Sequence, residues 1–205
     1  MAALLMFAGA APAAVLQFSG SLATDDELAT NTFVVTTAGM VTLQTWSYGG
    51  GIAGHFPGLA AGGFAPVLSV FDSLGNLTAS ENGTNLFDAI NRPFGGSCGP
   101  GNLADPSTGF CLDIYLKIGS LAVGAYTVVL TQYDNQPTGN LGDPFNSAFT
   151  PGTSSFLDPI DGSQRSADWA FEIVTPNAPV IGVPEPSSVA LLALGLGLLL
   201  RRKST

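Results

Sequence analysis

The heptapeptide Leu112-Asp113-Ile114-Tyr115-Leu116-Lys117-Ile118 places an apolar side chain at every second position and a polar or amphipathic one between. A period of two marks a half-buried strand, because successive side chains of an extended chain leave on opposite faces. Residues 168–174 repeat the pattern, with Trp169, Phe171 and Ile173 opposing Ala170 and Glu172. Both segments are therefore expected to turn one face to a core and the other to water. Working outward, short runs rich in β-branched and aromatic residues fall at 15–22, 32–37, 40–47, 67–72, 77–80 and 125–133. Clusters of Gly, Pro, Asn and Asp separate them, and no long apolar run with a helical period lies between the two ends of the chain. The expectation is all-β: a single β-sandwich of jelly-roll type over 14–176, its two sheets covering each other's apolar faces.

Three connections are long, at 49–66, 81–111 and 135–167. Loops of such length are uncommon in compact domains unless functional or stapled. The first, GGGIAGHFPGLAAGGFAP, is nearly uncharged and is expected to wrap an edge of the sandwich or to form part of a ligand surface. The second ends on the only two cysteines, Cys98 and Cys111, around the flexible stretch CGPGNLADPSTGFC. In an exported protein these are expected to pair as a disulfide, and two thiols without a nearby imidazole do not complete a zinc site.

The two ends do not read as fold. Residues 1–13 (MAALLMFAGAAPA) are apolar and rich in small side chains, like the hydrophobic and cleavage regions of a signal peptide, with cleavage expected after Ala13. No Lys or Arg precedes the apolar run, which departs from the usual pattern. After a linker expected at 177–182, residues 183–203 read VPEPSSVALLALGLGLLLRRK: a Pro-Glu-Pro triplet, an apolar run and three cations. As a helix, 189–200 would extend about 18 Å against roughly 30 Å of bilayer hydrocarbon. Arg201, Arg202 and Lys203 would stay on the cytoplasmic side, leaving 14–182 beyond the inner membrane. That region holds three cations, Arg92, Lys117 and Arg165, against 14 acids, a net charge of −11. Nucleic-acid binding, which needs clustered cations on the phosphates, is excluded.

The order Pro184-Glu185-Pro186, apolar helix, Arg201-Arg202-Lys203 resembles the PEP-CTERM sorting signal of Gram-negative bacteria that make exopolysaccharide. The resemblance implies a membrane-embedded exosortase that recognises the triplet and removes the tail. The segments FSGSLATDDE (18–27), VTLQTWSYGGG (41–51), GGFAPVLSVFDSLGNL (62–77), GAYTVVLTQYDN (124–135) and SADWAFEI (166–173) are similar to a secreted domain of such proteins, related in shape to the pre-peptidase C-terminal β-sandwich. Relatives carry Asp-Pro where this chain has Ala65-Pro66, and an Asn-Asp-Asp-Gly-like turn where it has Glu81-Asn82-Gly83.

Chemistry-bearing motifs are sparse. Gly95-Gly96-Ser97-Cys98-Gly99 has the form GxSxG, but Pro100, Gly101 and Asn102 follow, so the helix that a nucleophile elbow needs cannot start there. His55, the one imidazole, lies in a glycine-rich loop with no partner legible in sequence, and is read as solvated. Asp25-Asp26-Glu27, Asp72 and Asp134 sit in turns beside strands; if a metal is bound, these oxygens predict calcium rather than zinc. The competing reading of Asp72 is a turn cap. Trp46, Tyr48, His55 and Phe56 bracket the glycine-rich loop and would stack on sugars if exposed, whereas burial would make Trp46 and Trp169 core. Together these features predict an exported, non-enzymatic cell-surface or extracellular-matrix protein, with a carbohydrate- or calcium-binding module as the alternative, exopolysaccharide as the carbohydrate in reach, and a secreted hydrolase as the least supported class.

Overall fold

A computed structural model describes residues 14–81, 98–133, 135–146, 152–175 and 180–183. The expected signal peptide, the triplet, the apolar run and the terminal cations lie outside the described residues, as do Arg92, Ser97 and Asp134. The described chain is all-β: β1 (Ala14–Ser21), β2 (Ala29–Val35), β3 (Gly39–Thr45), β4 (Pro66–Phe71), β5 (Leu77–Glu81), β6 (Tyr115–Leu121), β7 (Gly124–Gln132), β8 (Gln136–Pro137), β9 (Phe145–Asn146), β10 (Asp168–Thr175) and β11 (Val180–Val183). One sheet has the order β1-β10-β3-β6 and the other β11-β2-β7-β4-β5, with every pair antiparallel. Chain-consecutive long strands change sheet at every step except the β4–β5 hairpin. The strands form where the alternation and β-branched content placed them, to within a few residues at their ends.

The core fills the space between the sheets. Phe33 and Val35 of β2, Val41 and Leu43 of β3, Leu68 and Val70 of β4, Val128 and Leu130 of β7, and Phe171 and Ile173 of β10 are buried there at every second position. Aromatic rings pack along it, with Phe171 centred 5.0 Å from Phe18 and 5.9 Å from Trp169. Trp46 and Tyr48 are fully buried, and Trp169 nearly so.

Three expectations are corrected. First, β6 begins at Tyr115, not Leu112, because Thr45 interrupts the ladder: its amide donates to the Ile114 carbonyl at 2.9 Å, while the Ile114 amide donates to the Thr45 hydroxyl at 2.8 Å. Second, β10 has no wet face over Ala170 and Glu172, which are 0% and 1% exposed. The period of two reports which way side chains point, and here loops cover the outer face of the sheet over β10 and β3. Third, the stretch read as a linker contains β11, whose residues Val180, Ile181, Gly182 and Val183 pair with Val35, Val34, Phe33 and Thr32.

The register gives the sandwich two unlike ends. Short turns join β2 to β3, β4 to β5 and β6 to β7 at one end. At the other, β3 runs out into the segment that returns as β4, and the long segments before β6 and β10 come in. A disulfide between Cys98 and Cys111, with Cα atoms 6.0 Å apart, closes the segment ahead of β6. Removing it by a Cys98→Ser/Cys111→Ser double substitution is expected to cost about 3 kcal/mol in urea unfolding, the chain-entropy cost of freeing a loop of this length. Peptide mapping of native exported protein should recover the two half-cystines in one linked fragment.

Candidate functional site

The loop end is held by buried charge in addition to apolar packing. Arg165, 7% exposed, donates through Nη1 to Asp105 Oδ2 at 2.9 Å and through Nε to Asp158 Oδ2 at 2.6 Å, with Nη2 also paired to Asp158. The guanidinium lies over the Tyr48 ring, 4.5 Å from its centroid, and Nη2 donates to the Tyr48 hydroxyl at 2.9 Å. That hydroxyl in turn donates to Asp158 Oδ2 at 2.7 Å. Each carboxylate uses its other oxygen to shape its own loop: Asp105 Oδ1 accepts from the amides of Ser107 and Thr108 at 3.0 and 3.1 Å, and Asp158 Oδ1 from Ile160 at 2.7 Å. One side chain thereby ties three long segments into a single body. A forked, delocalised cation suits this task, because it meets two carboxylates and a ring at once.

Two further carboxylates are spent on backbone. Asp113 is fully buried: Oδ1 accepts from the Thr45 hydroxyl at 2.8 Å and the Tyr48 amide at 3.1 Å, and Oδ2 from the Gly49 amide at 2.8 Å. Burial pushes its carboxyl above the ordinary range despite these donors. A Cβ at Gly49 would overlap the Leu103 carbonyl, which is why the turn there requires glycine. Asp25, also fully buried, accepts from the Phe156 amide at 2.8 Å, the Ser155 amide at 3.0 Å and the Thr153 hydroxyl at 2.8 Å. Burial alone would raise its pKa; those donors more than offset it and hold the carboxyl below its usual value.

The glycine-rich loop folds back over the outer face of the β1-β10-β3-β6 sheet. His55 stacks on Trp46 with ring centroids 4.8 Å apart, and its Nδ1 lies 2.8 Å from Oε2 of Glu172. His55 is therefore not a free solvated residue: it is half-exposed and anchored to a buried carboxylate 117 residues away in sequence. Beside Glu172, Gln44 donates to the Pro100 carbonyl and to Asn102 Oδ1, both at 3.0 Å, so the segment after Cys98 is pinned to the same face. With Trp46 and Tyr48 buried, the sugar-stacking face imagined for them does not form from those two rings.

Of the acids expected to share a cation, the described ones fall in two places. Asp72 caps its own turn, accepting from the amides of Leu74 and Asn76 at 2.9 Å each. The register puts it at the turn end of the sheet containing β2, β7 and β4, whereas Asp25, Asp26 and Glu27 precede β2 at the loop end. Asp26 accepts from the Gly152 amide at 3.0 Å and Glu27 from the Ala23 amide. Among the described residues no three His, Cys, Asp or Glu side chains are arranged to hold a metal ion. The Arg165 network is not apparent in the sequence; the one local hint is that Asp105-Pro106 and Asp158-Pro159 are two of three Asp-Pro pairs in a chain with very few cations.

The remaining candidate is the tail that follows β11. Residues 182–203 match the PEP-CTERM protein-sorting motif. The motif marks an exported protein sorted by exosortase, directed by membrane-associated sorting toward the cell surface. The match takes in the final two residues of β11 and all of Pro184, Glu185, Pro186, Arg201, Arg202 and Lys203. No curated protein matches the chain.

Two outcomes follow from the loop-end electrostatics. Replacing Arg165 with Met leaves Asp105 and Asp158 buried without their cation and is expected to lower stability by about 3–5 kcal/mol, measured by urea unfolding. Acid acts through Asp25 and Asp105, both held below the usual carboxylate range: burial opposes the shift at Asp105, and the Ser107 hydroxyl and Arg165 outweigh it. A depressed native pKa contributes stability above the unfolded value of about 3.9 and loses it as pH falls toward the native one. Asp113, shifted upward, acts with the opposite sign, losing its contribution as pH rises through its native pKa. The thermal midpoint should therefore fall steeply below about pH 4, and Asp25→Asn should flatten that acid limb.

Proposed function

We propose that this chain is a non-catalytic protein of the cell surface or extracellular matrix, exported, sorted by its C-terminal motif and presenting the loop end of a rigid β-sandwich to its surroundings. The sorting motif at 182–203 carries this reading. Support comes from the loop end, where buried ion pairs, a disulfide and a stacked His55 fix long glycine-rich segments into one shape. Leu103 and Leu157 are exposed in these segments, and Leu28 just before β2 at the same end, which suits a contact surface more than a solvating one. The strand order supports the jelly-roll form of the sandwich. The same all-β frame supports the likeness of the middle domain to the pre-peptidase C-terminal sandwich.

On this reading, the mature protein lacks the apolar run and the terminal cations. Intact-mass analysis of surface or secreted material should find a chain ending before residue 189. In cells without the processing enzyme, full-length chain should stay with the inner membrane. Recovery of the Arg201-Arg202-Lys203 terminus on secreted protein would reject the sorting assignment.

A further inference from the structure

The sorting motif and the fold share residues. Gly182 and Val183 open the motif and also close β11, where they pair with Phe33 and Thr32 of β2. β11 is the outer strand of its sheet and packs beside β1, the outer strand of the other. It thus closes one flank of the sandwich, next to Phe33 and Val35, which are fully buried. Beyond Val183 only residues 184–188 precede the apolar run, and five residues reach at most about 18 Å when fully extended.

These facts set folding against processing. A processing enzyme embedded in the bilayer has to take the triplet and its flanks as an extended peptide. The flank on the amino side is already committed to backbone hydrogen bonds with β2, and the five-residue tether keeps the folded domain within about 18 Å of the apolar run. We propose that β11 is an exchangeable edge strand: it leaves β2 so that the sorting motif can enter the processing enzyme, and redocks after cleavage as the C-terminal strand of the mature domain. The inference rests on the sorting reading above. It assigns β11 two roles in turn, substrate flank and structural seal, and it places the cleavage point on the carboxyl side of Val183.

Ile181 and Val34 are partners in the backbone register of β11 and β2, so a Val34→Cys/Ile181→Cys pair is placed to lock the strand. The full-length chain is followed in membranes that contain the processing enzyme, with oxidised double variant, reduced double variant, each single variant and wild type compared. The oxidised double variant should persist uncleaved, while wild type, single variants and reduced double variant lose the tail. Ile181→Gly, which lowers strand propensity at the edge, should be cleaved faster than wild type, and C-terminal sequencing of mature wild type should find Val183 retained. Cleavage of the locked chain at the wild-type rate, no acceleration by Ile181→Gly, or a mature terminus before Val183 would each overturn the inference. A wild-type chain left uncleaved under the same conditions would instead overturn the sorting reading, and this inference with it.

Discussion

A guanidinium buried between two carboxylates and a tyrosine ring is the constraint on which the loop end depends. The two sheets bury each other and need no such device, since alternating apolar side chains from both fill the space between them. The loops share that core only in part, through side chains such as Phe64 and Phe156. Beyond these, a small apolar cluster of Tyr48, Ala65 and Leu112, with Phe110, Tyr133 and Ile160 at its margin, joins the loops, while ordering long glycine-rich segments costs conformational entropy. Arg165 supplies the missing convergence. Because Asp105 and Asp158 each bond their own loop with one oxygen and Arg165 with the other, local turn geometry and long-range closure are set by the same two side chains.

The outer face of the β1-β10-β3-β6 sheet shows the same division. An antiparallel sheet of a sandwich commonly leaves one face wet, and here the polar residues on that face are kept but capped. Glu172, Gln44 and Trp46 lie beneath loop residues that satisfy or stack on them, with His55 on Glu172 and Trp46, and Asn102 on Gln44. Buried polar groups are costly without partners, so the partners dictate where the loops come down. The loops are thus positioned by the sheet's polar face as well as by apolar anchors such as Phe64 and Phe156, whose rings stack in the core. In an exported protein, covalent and ionic closure presets the shape of long loops.

How much was legible in sequence differs by level. The strands were legible because period-two alternation and turn residues act locally: Leu116, Phe171 and Ile173 declare their direction within a few neighbours. The tail was legible because its signal is linear, a triplet, an apolar run and cations in order, and needs no fold to be read. The Cys98–Cys111 pairing was legible because no other cysteine competes. Illegible were the partnership of His55 with Glu172 across 117 residues, the convergence of Asp105 and Asp158 on Arg165, and the recruitment of 180–183 into a sheet edge. The sequence by itself determined which segments extend, which way their side chains face and where the chain is addressed. Only the tertiary structure decided which polar faces are covered and which acids meet a cation, because burial and charge pairing depend on distances between segments far apart along the chain, and a local pattern contains no record of them.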